Sequence, residues 1–153
     1  MSELENGRGE LSIEQALDEF DEIPHMTVGI SMEPMLHTRK NIVVIKKVSA
    51  PLKKYDVVLY KRGESYVLHR LVKIAADGKY VFRGDNCVND EYDITDENVL
   101  GVLKGYYKGE RYIDCGKNAG YRIYSRFWVA THGARTFFRS VKHKIGKVLK
   151  RRG

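Results

Sequence analysis

The chain has 153 residues, 31% of them charged, with a formal net charge of +7 and only two cysteines, Cys87 and Cys115. That length suits one domain with a real hydrophobic core and short appendages rather than two separate domains. Two cysteines without a CxxC spacing argue against a disulfide framework or a zinc site, so both read as reduced thiols and no metal or cofactor is expected.

The charge is unevenly spread. Residues 1–23 carry eight acidic side chains against Arg8 alone, whereas residues 121–153 carry ten Lys or Arg and no acidic residue. The basic character therefore belongs to the C-terminal tail. No apolar run approaches the ~18 residues of a membrane-spanning helix, and the acidic N-terminus lacks the pattern of a secretory signal, which points to a cytoplasmic location.

In chain order, "LSIEQALDEF" sets Leu11, Ile13, Ala16, Leu17 and Phe20 near helical spacing, and Ser12 with Gln15 forms a capping-box pattern. One short amphipathic helix, stopped by Pro24, is predicted. From Met26 to Cys115 the runs "MTVGI", "NIVVIKK", "DVVLYKR", "SYVLHRLVKI", "KYVFR", "VLGVLKGYY" and "RYIDC" alternate with Pro, Gly and Asp signals, which predicts a mainly β core. Beyond it Ile123, Phe127, Ala130, Ala134, Phe137, Val141, Ile145 and Val148 recur every three or four residues, with Arg and Lys filling much of the opposite face. A basic amphipathic helix is expected there, bent near Gly133 or split in two around Thr131, His132 and Gly133. The organisation is thus an acidic segment over 1–24, a β core over 25–120 and a basic helical tail over 121–153.

Three stretches of the core carry residue types suited to nucleophilic catalysis, which needs a hydroxyl on a constrained turn, a base and donors for an oxyanion. "GISMEPML" places Ser31 where a strand is expected to end, with Pro34 favouring a tight turn or the first turn of a helix just beyond it and the Ser31 N–H a natural oxyanion donor. "YVLHRLVKI" places His69 in a strand whose alternation puts Val67, His69 and Leu71 on one face and Leu68, Arg70 and Val72 on the other. Aliphatic neighbours favour the neutral, base-competent imidazole. "VFRGDNCVNDEYD" follows a strand with a glycine turn and the carboxylates Asp85, Asp90, Glu91 and Asp93, one of which could orient His69.

The ordered set "SMEP", "KKYDVVLYKR", "LHRLVKI", "RGDN" and "VLGVL" resembles the S24/S26 superfamily of serine peptidases, is most similar to the type I signal peptidases, and covers about residues 26 to 104. Tyr55 stands where glycine is common, and histidine replaces the usual lysine before Arg70, as in the histidine-type members. The resemblance implies a signal-peptidase/LexA-like β fold, Ser31 as nucleophile and His69 as general base. It also implies an aspartate completing the site, Asp90 by order or Asp85 by its place in the Gly-Asp-Asn box. Gly29 occupies the position that carries an oxyanion hydroxyl in some members, and Met32 and Pro34 belong to the substrate-binding element. Arg70, Gly84 and Asn86 are expected as structural neighbours, with Arg70 a partner for the acidic loop. Met35 and Leu36 suit either a groove or the core.

The implied activity is a serine endopeptidase cutting a leader or precursor peptide held along a β edge, with small residues near the cut. The alternative is a peptide-binding module that keeps the fold without catalysis. A LexA-like repressor would need a helix-turn-helix before the core, which about 25 residues cannot hold. Phe127, Trp128, Phe137 and Phe138 beside ten cations match a helix lying on an anionic membrane surface at the inner face of the membrane. Packing of the same stripe on the core is the competing reading, and nucleic acid comes third, since no recognition module accompanies the charge.

Overall fold

The computed structural model describes residues 11–150. Helix α1 (Ile13–Phe20) begins with the expected capping box: Ser12 Oγ accepts from Gln15 N–H at 3.1 Å, and Gln15 Oε1 accepts from Ser12 N–H at 2.9 Å. Asp21, at φ 59°, ends it, ahead of Pro24. Eight antiparallel strands follow: β1 (Glu22–Met26), β2 (Asn41–Lys47), β3 (Val57–Arg62), β4 (Ser65–Ile74), β5 (Tyr80–Arg83), β6 (Glu91–Ile94), β7 (Val99–Lys108) and β8 (Arg111–Asp114). Their order is β1-β2-β7-β3-β4-β5-β6, with β8 on β7. The mainly β expectation holds at this level. The tail is two helices, α2 (Ala119–Ala130) and α3 (His132–Lys150), divided at Thr131.

Two strands differ from expectation. "MTVGI" does not form a strand: β1 lies four residues earlier and contains Pro24, which a terminal strand tolerates because, among the described residues, one of its edges has no partner. A boundary at residue 24 therefore falls inside β1. Strand β6, read from sequence only as an acidic loop, is a short edge strand paired to β5 with Phe82 opposite Glu91.

Register shifts between β2 and β7, β3 and β7, β4 and β5, and β5 and β6 mark bulges that increase local twist and curl the sheet. Each face then buries its own core. On one face Leu17 of α1 and Met32, Met35 and Leu36 pack over Val43, Ile45, Val57, Leu59 and Leu103. On the other Leu52, Val58, Tyr60, Leu71, Tyr80, Phe82 and Ile94 form a second cluster.

Helix α2 is an element of the first core, so a boundary at residue 120 cuts through it. Ser125 is fully buried, and Tyr121 and Tyr124 pack against the first cluster. The fully buried Arg70 guanidinium ties this helix to the sheet. It donates to both Asp85 carboxylate oxygens at 2.8 Å, to Ser125 Oγ at 2.7 Å, to the Tyr55 carbonyl at 3.1 Å and to Met35 Sδ at 3.2 Å. Tyr124 Oη and Trp128 Nε1 in turn donate to the side chain and backbone of Asp85. Tyr55 sits at φ 84°, in the left-handed region that favours glycine.

Candidate active site

The segment carrying Ser31 leaves β1, runs through a turn over residues 31–35 that includes a cis Glu33–Pro34 bond, and returns to β2. Two buried polar residues clamp its base. Thr27 Oγ1 donates to the His37 carbonyl, Asn41 Oδ1 accepts from His37 N–H, and Asn41 Nδ2 reaches the Tyr107 carbonyl on β7. The tip is held from the Gly-Asp-Asn box: Asn86 N–H donates to the Ser31 carbonyl at 2.8 Å, and Asn86 Nδ2 donates to the Ile30 carbonyl at 3.1 Å. Gly84 sits directly beneath. A Cβ there would lie 2.6 Å from the Ser31 carbonyl oxygen, 2.7 Å from Cys87 Sγ and 3.0 Å from His69 Nε2, so only glycine lets the three groups converge.

His69 comes to this point from β4, where alternation works as expected. Val58 lies opposite His69 and Tyr60 opposite Val67, which places the imidazole on the face of the second core, while Arg70 points to the first. The registers Leu71 to Phe82 and Phe82 to Glu91 continue that face across β5 to β6. They deliver Glu91 to the ring: its Oε1 lies 3.2 Å from His69 Nδ1, and its Oε2 accepts from Tyr60 Oη at 2.7 Å. Tyr60 Oη also lies 3.2 Å from Nδ1, and Arg62 donates to Glu91 Oε1 at 2.7 Å. The Tyr60 proton is committed to Glu91, so Nδ1 carries a hydrogen and donates, which leaves the Nε2 lone pair free on the side of Ser31 and Gly84.

Neither aspartate expected beside the histidine is there. Asp85 binds Arg70, and Asp90 binds Arg83 Nη1 at 2.8 Å. Both follow charge pairing that a sequence cannot rank, because each candidate carboxylate has an arginine within reach of its own strand or turn. Glu91, one of the four clustered carboxylates, takes the orienting position because β6 forms.

Burial is the largest influence on His69 and holds its pKa below the ordinary imidazole value of 6.5; Glu91 pulls it upward, and Arg62 adds to the lowering. The neutral form therefore persists to lower pH than in an ordinary histidine. In the interval between the two values the unfolded chain binds the proton and the folded one does not, so this contribution to stability is intact above about 6.5 and is lost as pH falls. Following the His69 ring by NMR should give a titration midpoint below 6.5. The midpoint should fall further in Glu91→Gln, which removes the charge favouring the imidazolium. An upward shift in that variant would overturn the assignment of Glu91 to Nδ1.

Ser31 and His69 share the wall of a cavity of about 930 Å³ with Gly29, Met32, Asn86 and Glu91. Among the described residues no hydrogen bond joins the Ser31 hydroxyl to the imidazole. Among the described residues, 65–69 of β4 pair only with β3, because β5 pairs from Arg70 onward, so one strand edge beside the cavity is free of a described partner. His25 of β1 also lines it. Met32 and Leu36 belong both to the first core and to the cavity wall, whereas Met35 is core alone. Gly29 adopts φ 92° and donates its N–H to Thr38 Oγ1, so that N–H is engaged. Pro34 lines a smaller cavity of about 300 Å³ instead, with Trp128, His132 and Arg135. Cys87 is a poor rival nucleophile: burial raises its pKa above 9.0 and keeps it a thiol.

No protein-family model matches the chain, and no curated protein or solved structure does either. The likeness to S24/S26 peptidases rests on the motifs.

Proposed function

We propose that this chain is a serine endopeptidase that cuts a leader or precursor peptide, with Ser31 as nucleophile, His69 as general base and Glu91 as its positioning residue. The observation that carries the reading is the convergence at Gly84, where the unprotonated nitrogen of a buried, Glu91-oriented histidine meets the turn that bears the serine. The positive φ of Tyr55, at the place where the resembled family commonly has glycine, adds to it.

An extended peptide pairs with the free edge of β4, using backbone hydrogen bonds, and presents its scissile carbonyl to Ser31. His69 Nε2 takes the hydroxyl proton as Oγ bonds to the carbonyl carbon, and the Ser31 N–H donates to the oxyanion. The tetrahedral species collapses, the C–N bond breaks and Nε2 returns the proton to the departing amine. Water, deprotonated by Nε2, then hydrolyses the acyl ester and regenerates Ser31. The hydrogen bond between hydroxyl and imidazole forms when substrate closes the site, as is common for catalytic pairs.

A fluorophosphonate probe tests this without knowledge of the substrate. Labelling is expected at Ser31, absent in Ser31→Ala and strongly reduced in His69→Ala. A folded wild-type chain that takes no label under any condition would sink the enzyme and favour the peptide-binding module.

A further inference from the structure

Helix α3 meets the body of the protein through its polar face. His132 Nε2 lies 3.3 Å from the Cys87 carbonyl, and Arg139 Nη1 donates to the Asn86 carbonyl at 3.3 Å. The Arg135 guanidinium stacks 3.6 Å from the Trp128 ring centroid and donates to the Trp128 carbonyl at 2.5 Å. At 100° per residue, His132, Arg135 and Arg139 share one side, and Ala134, Phe137, Phe138, Val141, Ile145, Val148 and Leu149 form a stripe on the other. That stripe faces away from the protein: no residue of α3 is buried, and Phe137, Phe138 and Leu149 are 64%, 69% and 67% exposed. Packing on the core would require the reverse orientation.

The charges identify what covers the stripe. Residues 132–150 hold six Lys or Arg and no acidic residue. Lys142 and Lys144 flank the stripe on either side, where they reach headgroups while the aromatic and aliphatic side chains enter the acyl boundary. A second copy of the helix would bring six cations against six, and nucleic acid would leave the apolar stripe uncovered. At the other end of the described chain three acidic side chains pair with the body of the protein: Glu14 with Lys61 and Tyr66, Asp18 with Lys47, Glu22 with Lys104. No helix among the described residues is long and apolar enough to cross a membrane.

We propose that α3 docks the protein onto an anionic lipid surface, lying in the interface with its apolar stripe inward. Arg139, on the side of α3 opposite the stripe, also lines the cavity that holds Ser31 and His69, so docking holds that cavity next to the membrane-bound helix.

Co-sedimentation of the full chain with phosphatidylcholine vesicles, and with vesicles that also contain phosphatidylglycerol, tests the proposal. Binding is expected only to the anionic vesicles. The triple variant Phe137→Gln, Phe138→Gln, Ile145→Gln should lower the partition coefficient by about tenfold or more while keeping its helical circular dichroism and thermal midpoint, since these side chains touch no core. Wild-type protein left in the supernatant with both vesicle types would overturn the proposal. So would a triple variant that binds as the wild type does, because charge alone would then be responsible. A dimer that the triple variant abolishes, with no vesicle binding, would assign the stripe to a second copy instead.

Discussion

Replacing Ser31 with alanine is expected to lower the rate of peptide cleavage by roughly 10⁴-fold or more, and His69→Ala should do nearly the same. Under the proposed mechanism the two side chains act as a unit: without the base the hydroxyl is a weak nucleophile, and without the hydroxyl the base has nothing to activate. The double variant should therefore be no slower than either single one, whereas independent roles would multiply. Substrate binding at the free edge of β4 should survive, so the loss belongs in kcat. Ser31→Ala should also keep the wild-type thermal midpoint within a few degrees, because the hydroxyl is only half-buried, whereas His69→Ala removes a buried imidazole beside Tyr60 and Glu91 and should lower it, so its rate is compared below its own midpoint. Cleavage that persists in both, measured with a peptide library and purified protein, would remove Ser31 and His69 from the mechanism.

The largest effect on stability is expected from Arg70→Met. The guanidinium and the Asp85 carboxylate are 0% and 2% exposed and joined by two 2.8 Å hydrogen bonds, and removal of the cation leaves a buried carboxylate with Tyr124 as its remaining side-chain donor. Breaking such a pair from one side costs about 3–5 kcal/mol, a large share of the stability of a domain this size. Asp85→Asn in the same background should return part of that loss, since the uncompensated charge is gone. Urea denaturation of the wild type, the single and the double variants reads the cycle. A single variant within 1 kcal/mol of the wild type would show that the pair carries little weight in holding α2 to the sheet.

The two results bear on one another because adjacent residues of β4 feed both systems. His69 faces the second core and Arg70 the first, so the strand carries the proposed base on one side and the structural ion pair on the other. The Gly84, Asp85 and Asn86 turn serves both sides: Gly84 makes room for Nε2, Asp85 holds Arg70, and Asn86 holds the Ser31 turn. A site placed on a packed strand and a clamped turn keeps its groups in register better than one carried on free loops.

Local signals were enough for much of this. Period-two alternation in "SYVLHRLVKI" and "NIVVIKK" named β4 and β2 with their limits and separated His69 from Arg70, because side-chain direction in a strand is set by the backbone alone. The capping box at Ser12 and Gln15 is likewise a contact three residues long. The mainly β core and the basic amphipathic tail were legible in this way, whereas the grouping of Ser31, His69 and Gly84 was expected only from the resemblance of the ordered motifs. Three matters were decided only in the tertiary structure. Which carboxylate meets His69 depended on the register of β6 against β5, and on Asp85 and Asp90 finding arginines first; electrostatic pairing is a choice among partners brought together from distant parts of the chain. Helix α2 became core and α3 did not, although one stripe of spacing runs through both, because Ser125, Tyr124 and Trp128 meet the Arg70 and Asp85 pair. Finally, an apolar stripe at helical spacing says that one face seeks a nonpolar partner, but its direction is set by the neighbours: Trp128 and the Asn86 and Cys87 carbonyls take the polar face of α3 and leave the stripe outward.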